Sequence, residues 1–473
     1  MLRQHMAKRD KHFENLHIDD LEYTGHGVAK PDGRPVVFVE DVLPGEIVHV
    51  QVHKRKKRCS FAHVTEFVKT SDMRIEPFCR HFEHCGGCKW QYLSYSNQCL
   101  YKKKFVEQVF DHIAGVERPI VPDVVPSPAD RFYRNRLDYS FSQKRWLTPE
   151  EIESDQVFDG RDALGFHVRG SFDKVLHIHE CFLQSELSNR IRNATWEFAR
   201  EQGLVFFDPV ENQGELRSLI VRTSRQGHVM VILVLGSELP DVSNTFDLFY
   251  QTEFPEITSF YVGINTSRND TLQNATMQHR FGDSVIVEKL LGVEFRISPH
   301  SFFQTNPDQA ERLYALVREW ADLDGSEVVY DLYCGAGSIA LLMAPHASHV
   351  YGIETVAEAV DAARANKDLN GIENCTFLCG TVEGVLGNER PEGFPRADLV
   401  ILDPPRAGLH PAVVQALLRE KPPRIIYVSC NPATQARDVA MFAEAYELTR
   451  MQPVDMFPQT YHIENVVELQ AKP

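Results

Sequence analysis

The chain runs to 473 residues, more than one ordinary domain holds, so two to four domains are expected. Its apolar content suits a sizeable core and excludes disordered and fibrous classes. A net charge of −16 is an unpromising total for a nucleic-acid binder, but the distribution matters more than the sum. Residues 1–120 hold 19 Lys and Arg against 16 Asp and Glu, and the remainder holds 31 against 50, so a head of +3 precedes a body of −19. Such asymmetry points the head towards an anionic partner. Met1 to Asp10 carries charges without an apolar core, unlike a secretory signal. No stretch approaches the roughly 18 uninterrupted apolar residues of a membrane span. A soluble, cytoplasmic protein with no membrane partner is expected, and its ten cysteines should be reduced thiols, metal ligands or catalysts rather than disulfides.

From about Leu16 to Val68 the pattern is short strands with Gly-containing turns, such as Pro35 to Val39 and Glu46 to Val52 joined through Leu43-Pro44-Gly45. Four or five strands in about 55 residues suit a small closed barrel of the OB type, assigned to residues 1–70. The basic run His53-Lys-Arg-Lys-Lys-Arg58 directly follows one of these strands. A solvated hairpin tip would explain it, but the barrel context and the positive head favour a nucleic-acid contact.

Residues 71–295 read as a central α+β domain that opens on a cysteine knot, Cys79-x5-Cys85-Gly-Gly-Cys88. Two glycines between ligands would let the loop wrap a metal or cluster. A fourth ligand is required, and periodicity does not choose between Cys99, in the next helix, and Cys181, in His177-Ile-His-Glu-Cys181. A [4Fe–4S] cluster uses four cysteines, and zinc with four thiolates is the structural runner-up. The spacing departs from the Cys-x3-Cys-x2-Cys of radical S-adenosylmethionine enzymes. Tyr95 to His112 reads as a helix, in an element running to about 120 that should pack on the C-terminal domain. Its apolar positions lie near Leu100, Phe105, Val109 and Phe110, beside the triplet Lys102 to Lys104. Residues 125 to 295 are β-rich, with no function legible in the pattern. The remainder, 296–473, alternates strand and helix patterns, the signature of a parallel doubly wound sheet.

In that domain Val328-Val-Tyr-Asp-Leu-Tyr-Cys-Gly-Ala-Gly-Ser338 is an apolar strand, a Gly-rich turn and the start of a helix. Gly335 and Gly337 would let backbone approach a ligand at the helix N-terminus. The next strand, Val350 to Glu354, ends in a carboxylate placed to accept both ribose hydroxyls of a nucleoside cofactor. A later strand ends in Asp403-Pro404-Pro405-Arg406, a rigid loop beside the cofactor cleft where a planar base could be held. Nicotinamide enzymes have no evident use for it, and its combination with the Asp331 to Ser338 turn, which alone fits a dinucleotide or an adenosyl cofactor, resembles an S-adenosylmethionine-dependent methyltransferase of the Rossmann-like class.

The following strand, Ile425 to Val428, delivers Ser429-Cys430-Asn431-Pro432 to the same carboxyl edge, where α/β sheets bind ligands. Methylation of nitrogen or oxygen needs no protein nucleophile. Carbon 5 of a pyrimidine does, because only thiolate addition at carbon 6 makes it nucleophilic, and a base must then remove the carbon 5 proton. The site should therefore depress the Cys430 pKa or help deprotonate it. Glu464, before the last apolar strand, is a possible base, although on pattern alone it reads as an ordinary surface carboxylate. Cys99 and Cys375 read as packing thiols, and Cys334 as part of the turn.

Together Ser301-Phe-Phe-Gln304-Thr-Asn306, the DLYCGAG turn, Asp403-Pro-Pro-Arg406, Ser429-Cys-Asn-Pro432 and His462-Ile-Glu464 resemble the RNA uracil-5-methyltransferase family over nearly the whole chain. The resemblance is closest to the bacterial 23S rRNA 5-methyluridine branch, with its N-terminal TRAM barrel and iron–sulfur cluster. It implies a multidomain α/β protein: an OB-like TRAM barrel, a central α+β iron–sulfur and RNA-binding domain, and a Rossmann-like S-adenosylmethionine methyltransferase domain. It implies Cys430 as nucleophile, Glu464 as proton acceptor, and Gln304, Tyr333, Glu354 and Asp403 as cofactor contacts. It also implies a [4Fe–4S] cluster on Cys79, Cys85, Cys88 and Cys181, with rRNA as partner of a monomer. Ser338 and Thr381 stand where part of the family has asparagine. The rival readings are a tRNA uridine-5-methyltransferase and a non-catalytic RNA-binding assembly factor.

Overall fold

Strict alternation builds the first sheet. In Ile47–Arg55 the side chains of Val48, Val50 and Val52 turn inward while their neighbours face out, the period of a half-buried strand. In the computed structural model, which describes residues 11–154, 160–269, 271–387 and 393–473, six strands pair in the order His12–His17, Ile47–Arg55, Cys59–Lys69, Val36–Val39, Gly27–Ala29, Asp20–Leu21. That is one strand more than the pattern predicts, because the first and the two-residue Asp20–Leu21 strand are too short or too polar to read. Leu16, Ile18, Val37, Val39, Val48, Val50 and Ala62 fill the interior. The basic run does not follow a strand. His53, Lys54 and Arg55 complete Ile47–Arg55, and only the last three residues make the turn, with Lys56 Nζ 5.2 Å from the Phe61 ring centre.

The helix Tyr95–His112 is capped by Ser94, whose hydroxyl accepts from Asn97 N–H, and it stops at His112 rather than near 120. Gly115 lies beyond it at φ +69°, outside helical space. Its buried face is Gln98, Lys102, Val106, Val109 and Phe110, whereas Leu100, one of the apolar positions of the pattern, is 58 % exposed. Val106, Val109 and Phe110 share a core with Ile425, Tyr427 and Phe442 of the C-terminal domain.

The stretch that reads as β-rich carries two long helices as well, Glu186–Glu201 and Pro240–Glu253. They pack together, Phe198 against Phe249 with ring centres 4.1 Å apart, on one face of a seven-stranded sheet ordered Thr276–Gly282, Ser259–Ile264, Val229–Leu235, Leu216–Thr223, Arg136–Ser142, Ala163–His167, Val175–His177. Val229–Leu235 is buried along its whole length.

The C-terminal sheet runs Cys375–Cys379, His349–Glu354, Val328–Leu332, Leu399–Leu402, Arg424–Ser429, Glu464–Ala471, Tyr446–Val454. The first five strands are parallel and the last two antiparallel to their neighbours. The chain order reverses direction between Val328–Leu332 and Leu399–Leu402, which opens a cleft at their carboxyl ends. Among the described residues no helix is long and apolar enough to cross a membrane.

Candidate active site

Three adjacent parallel strands end at one edge, so the glycine turn after Leu332, Asp403 after Leu402 and Cys430 after Ser429 converge there. The Asn-Pro pair behind Cys430 does more than stop a strand. Asn431 accepts from Ala433 N–H and Pro432 takes the first turn of the helix Pro432–Phe442, a pre-organised N-terminus. Antiparallel pairing brings the last strand back to this edge: Ser429 faces Asn465, which puts Glu464 within a register step of Cys430. The Asp403-Pro-Pro-Arg406 loop is tied to the same helix, since the Arg406 carbonyl accepts from Asn431 Nδ2 (3.1 Å) and Thr434 Oγ1 (3.2 Å).

Burial dominates the electrostatics. Glu464 is only 4 % exposed, not the surface carboxylate that pattern suggests, and burial, then the Asp403 charge, push its pKa up to about 8 against the pull of Arg406. Burial lifts Asp403 to about 7. The expected depression of the Cys430 pKa is absent. Burial and the Glu464 charge raise the thiol to about 11, opposed by the charge and a hydrogen bond of Arg406. A buried thiol beside two acids resists ionising, and the charge and hydrogen bond of Arg406 favour the thiolate.

The cofactor cleft is built on the turn. Gly335 and Gly337 have φ of +53° and +83°, and a Cβ on Gly337 would stand 2.8 Å from the Phe377 ring. Glu354 reaches across from the neighbouring strand, and its Oε2 accepts from Gly335 N–H at 3.1 Å. Tyr333, at φ +68°, sits on the turn itself, its N–H bonded to Ile353 O. Gln304 lines the adjoining cavity, and Asn135 Nδ2 donates to its carbonyl at 3.0 Å. The motif's own Asp331 carried no assignment from sequence. It is buried, its Oδ2 accepts from Ala340 N–H at 2.8 Å, its Oδ1 has no partner among the described residues, and its pKa is pushed up to about 8. A charged residue inside an apolar strand was the signal that could have found it. An open glycine cradle, a carboxylate at the ribose position and an orphaned buried oxygen suit an adenosyl cofactor. Thr381 Oγ1 is committed to capping a short helix, accepting from Gly384 N–H at 3.1 Å, while Ser338 begins the helix after the turn.

A cavity of about 390 Å³, lined by Arg134, Gln304, Arg406, Phe457 and His462 among others, adjoins Cys430 through Arg406, which lines the cavity and hydrogen-bonds the thiol. Burial holds His462 neutral, at about 4. One wall is the segment 455–462 that leads to Glu464, and residues distant in sequence bolt it down. Lys102 Nζ meets Asp455 Oδ1 at 2.7 Å with both side chains fully buried. Gln98 Nε2 donates to Gln459 Oε1, and Gln459 N–H donates back to Gln98 Oε1, both at 2.9 Å. The N–H groups of Lys89 and Trp90, at the end of the cysteine knot, donate to Gln459 O. Sequence reasoning missed this clamp, including the burial of Lys102.

The pKa of Cys88 is pushed up to about 12, first by burial and then by the charges of Cys85, Cys181 and Cys79, so Cys181 joins the three. Cys99 instead responds to Asp455, Lys102 and Tyr95. Arg169 donates to the carbonyls of Phe82, Cys85 and Cys88 and pairs with Asp41 of the barrel at 2.6 Å. Among the described residues no group of three or more His, Cys, Asp or Glu side chains stands in metal-holding geometry. Four thiols, Cys88 and Cys181 buried and Cys79 and Cys85 partly so, nevertheless have the chemistry that zinc or a cluster needs.

The geometry agrees with what the chain is similar to. The tRNA (Uracil-5-)-methyltransferase family model matches residues 281–472, and the TRAM domain model matches 14–65. An uncharacterized RNA methyltransferase of Bacteroides thetaiotaomicron is 43% identical over 451 residues, covering 95% of this chain and 99% of its own length. Another from Porphyromonas gingivalis is 41% identical, covering 96% and 99%. Among solved structures, the Pyrococcus abyssi tRNA (uracil-54, C5)-methyltransferase in complex with S-adenosyl-L-homocysteine superposes with a TM-score of 0.75 at 32% identity, covering 96% of this chain and 99% of that one.

Proposed function

The chain belongs to the RNA uracil-5-methyltransferase family and is an S-adenosylmethionine-dependent enzyme of that class, and from this premise we propose that it methylates carbon 5 of a uridine in 23S rRNA through a covalent adduct on Cys430. The observation that carries the mechanism is the pairing of Cys430 with a buried Glu464 at the edge where the glycine turn and Asp403 also end. S-adenosylmethionine supplies the methyl group when bound, with Gln304, Tyr333, Glu354 and Asp403 as its contacts. The rest is this chain's chemistry. Cys430 Sγ gives its proton to solvent and bonds carbon 6 of the uracil, the C5=C6 electron pair moving into an enolate over carbons 5 and 4, with Arg406 favouring the thiolate that attacks. The pyrimidine becomes nucleophilic at carbon 5 and is methylated there. Ionised Glu464 removes the carbon 5 proton, the ring double bond re-forms, and the C6–S bond breaks with its electron pair returning to sulfur. The uridine must leave its stack to reach Cys430, and the cavity of about 390 Å³ beside it is the receiving space.

Cys430→Ala should abolish methyl transfer, and surviving transfer to uridine would remove the covalent route. Glu464→Gln should let a denaturation-resistant RNA–protein adduct accumulate. Normal turnover without adduct would take Glu464 out of its role. The rRNA assignment is supported by the barrel and the cysteine knot, while the tRNA named for the Pyrococcus abyssi relative supports a tRNA uridine as the second reading. Mapping 5-methyluridine in 23S rRNA and tRNA from a deletion strain decides between them. The four thiols are proposed to hold a [4Fe–4S] cluster. Anaerobic iron and sulfide analysis tests this, with zinc in their place as the outcome that overturns it. Light scattering of the pure protein tests the proposed monomer.

A further inference from the structure

Residues 131–135 carry an exposed feature that the methyl-transfer chemistry does not use. Phe132 is 47 % exposed and sits at φ +54°, in the left-handed region that a bulky residue rarely adopts. Its surroundings over-determine the conformation. Phe132 N–H donates to Phe182 O at 2.6 Å, and Arg134 N–H to Leu183 O at 2.8 Å. The Phe132 ring meets Phe182 edge-on with centres 5.9 Å apart. Phe182 in turn meets Phe78 at 5.4 Å, and the Arg131 guanidinium lies 4.2 Å from the Phe78 ring centre. Core packing does not explain an aromatic ring held at a strained backbone position and left half in water. Three rings and a cation at one surface make a stacking platform of the kind that takes nucleic-acid bases.

The platform is continuous with the cavity beside Cys430. Arg134, two residues on, lines that cavity, and Asn135 N–H bonds Thr305 O while its side chain bonds Gln304 O. At about 3.3 Å per extended residue, Phe132 lies roughly 7 Å from Arg134 along the chain. Lys89, Arg134 and Arg406 in the cavity continue the positive charge of Arg131, matching an anionic strand.

We infer that Phe132, backed by Phe182 and Phe78 and flanked by Arg131, stacks the base of a nucleotide neighbouring the methylated uridine and so holds the RNA strand at the mouth of the site. This rests on reading the cavity beside Cys430 as the uridine site. The test measures methyl transfer to bulk RNA from a strain lacking the enzyme, at saturating S-adenosylmethionine, for Phe132→Gly and Phe132→Tyr. Glycine relieves the backbone, so Phe132→Gly should keep the wild-type melting temperature and S-adenosylhomocysteine affinity. Stacking of one base is worth about 1–3 kcal/mol, so its KM for RNA should rise about tenfold or more while kcat changes little. Phe132→Tyr should stay within about twofold of wild type. An unchanged KM in Phe132→Gly, or an equal loss in Phe132→Tyr, overturns the platform. Cys430→Ala run in parallel keeps the two readings apart: transfer surviving there undoes the covalent site, not the stacking role.

Discussion

Glu464 shows how one side chain links stability to chemistry. Its pKa of about 8 in the fold lies above an ordinary value of 4.5, chiefly because burial disfavours the carboxylate. The folded state therefore prefers the proton. The associated stability is fully present below about pH 4.5 and is lost as the pH rises through about 8. Glu464→Gln has no such loss. At about 1.4 kcal/mol per pH unit of separation, it should be more stable than wild type by a few kcal/mol at pH 9, and close to it at pH 5, in urea unfolding. Catalysis asks for the opposite form. A proton acceptor must be ionised, so kcat/KM of the wild-type enzyme should climb with pH through about 8, and the Cys430 thiol at about 11 extends the climb above it. A flat profile between pH 6 and 8 would count against Glu464 as the acceptor.

At the scale of elements, the helix Tyr95–His112 is where pattern reading went furthest astray. Leu100 reads as an apolar position of the helix and Lys102 only as one of a lysine triplet, yet Leu100 is exposed and Lys102 is buried against Asp455. A buried ion pair needs its partner more than it adds stability. Lys102→Met should cost about 3–5 kcal/mol by leaving the buried Asp455 without its cation and, among the described residues, only the Phe457 N–H as donor, and Lys102→Met with Asp455→Leu should recover most of that in denaturant unfolding. The pair anchors the segment that leads to Glu464, so the single variant should also lower kcat before it alters S-adenosylhomocysteine binding. No recovery in the double variant would mean that packing, not charge, sets the loss.

Across the whole molecule, Arg169 joins Asp41 of the barrel to the carbonyls of the cysteine knot, and the knot's Lys89 and Trp90 hold Gln459 of the catalytic domain. The basic turn of the barrel is thus part of one connected body with the active site. With a net charge of −16, RNA must be gripped by local positive surface rather than by the total. If Lys56, Lys57 and Arg58 each neutralise a phosphate, replacing all three with alanine should flatten the dependence of log affinity on log salt by about 2–3. An unchanged slope would place the phosphate grip elsewhere.

By itself the sequence determined whatever local chemistry enforces. Gly335 and Gly337 must make a turn, Asn431-Pro432 must start a helix, alternating valines must line a barrel, and a thiol at a strand's carboxyl end lies where α/β sheets bind ligands. The tertiary structure decided what depends on residues far apart in the chain. Asp455 lies 353 positions from Lys102 and Gln459 lies 361 from Gln98, so no periodicity links either pair. Antiparallel pairing with the Cys430 strand is what buries Glu464. The raised pKa of the Cys430 thiol was equally out of reach. Ionisation in a protein interior follows from which charges and how little water surround a group, and those are set only once the chain has closed around it.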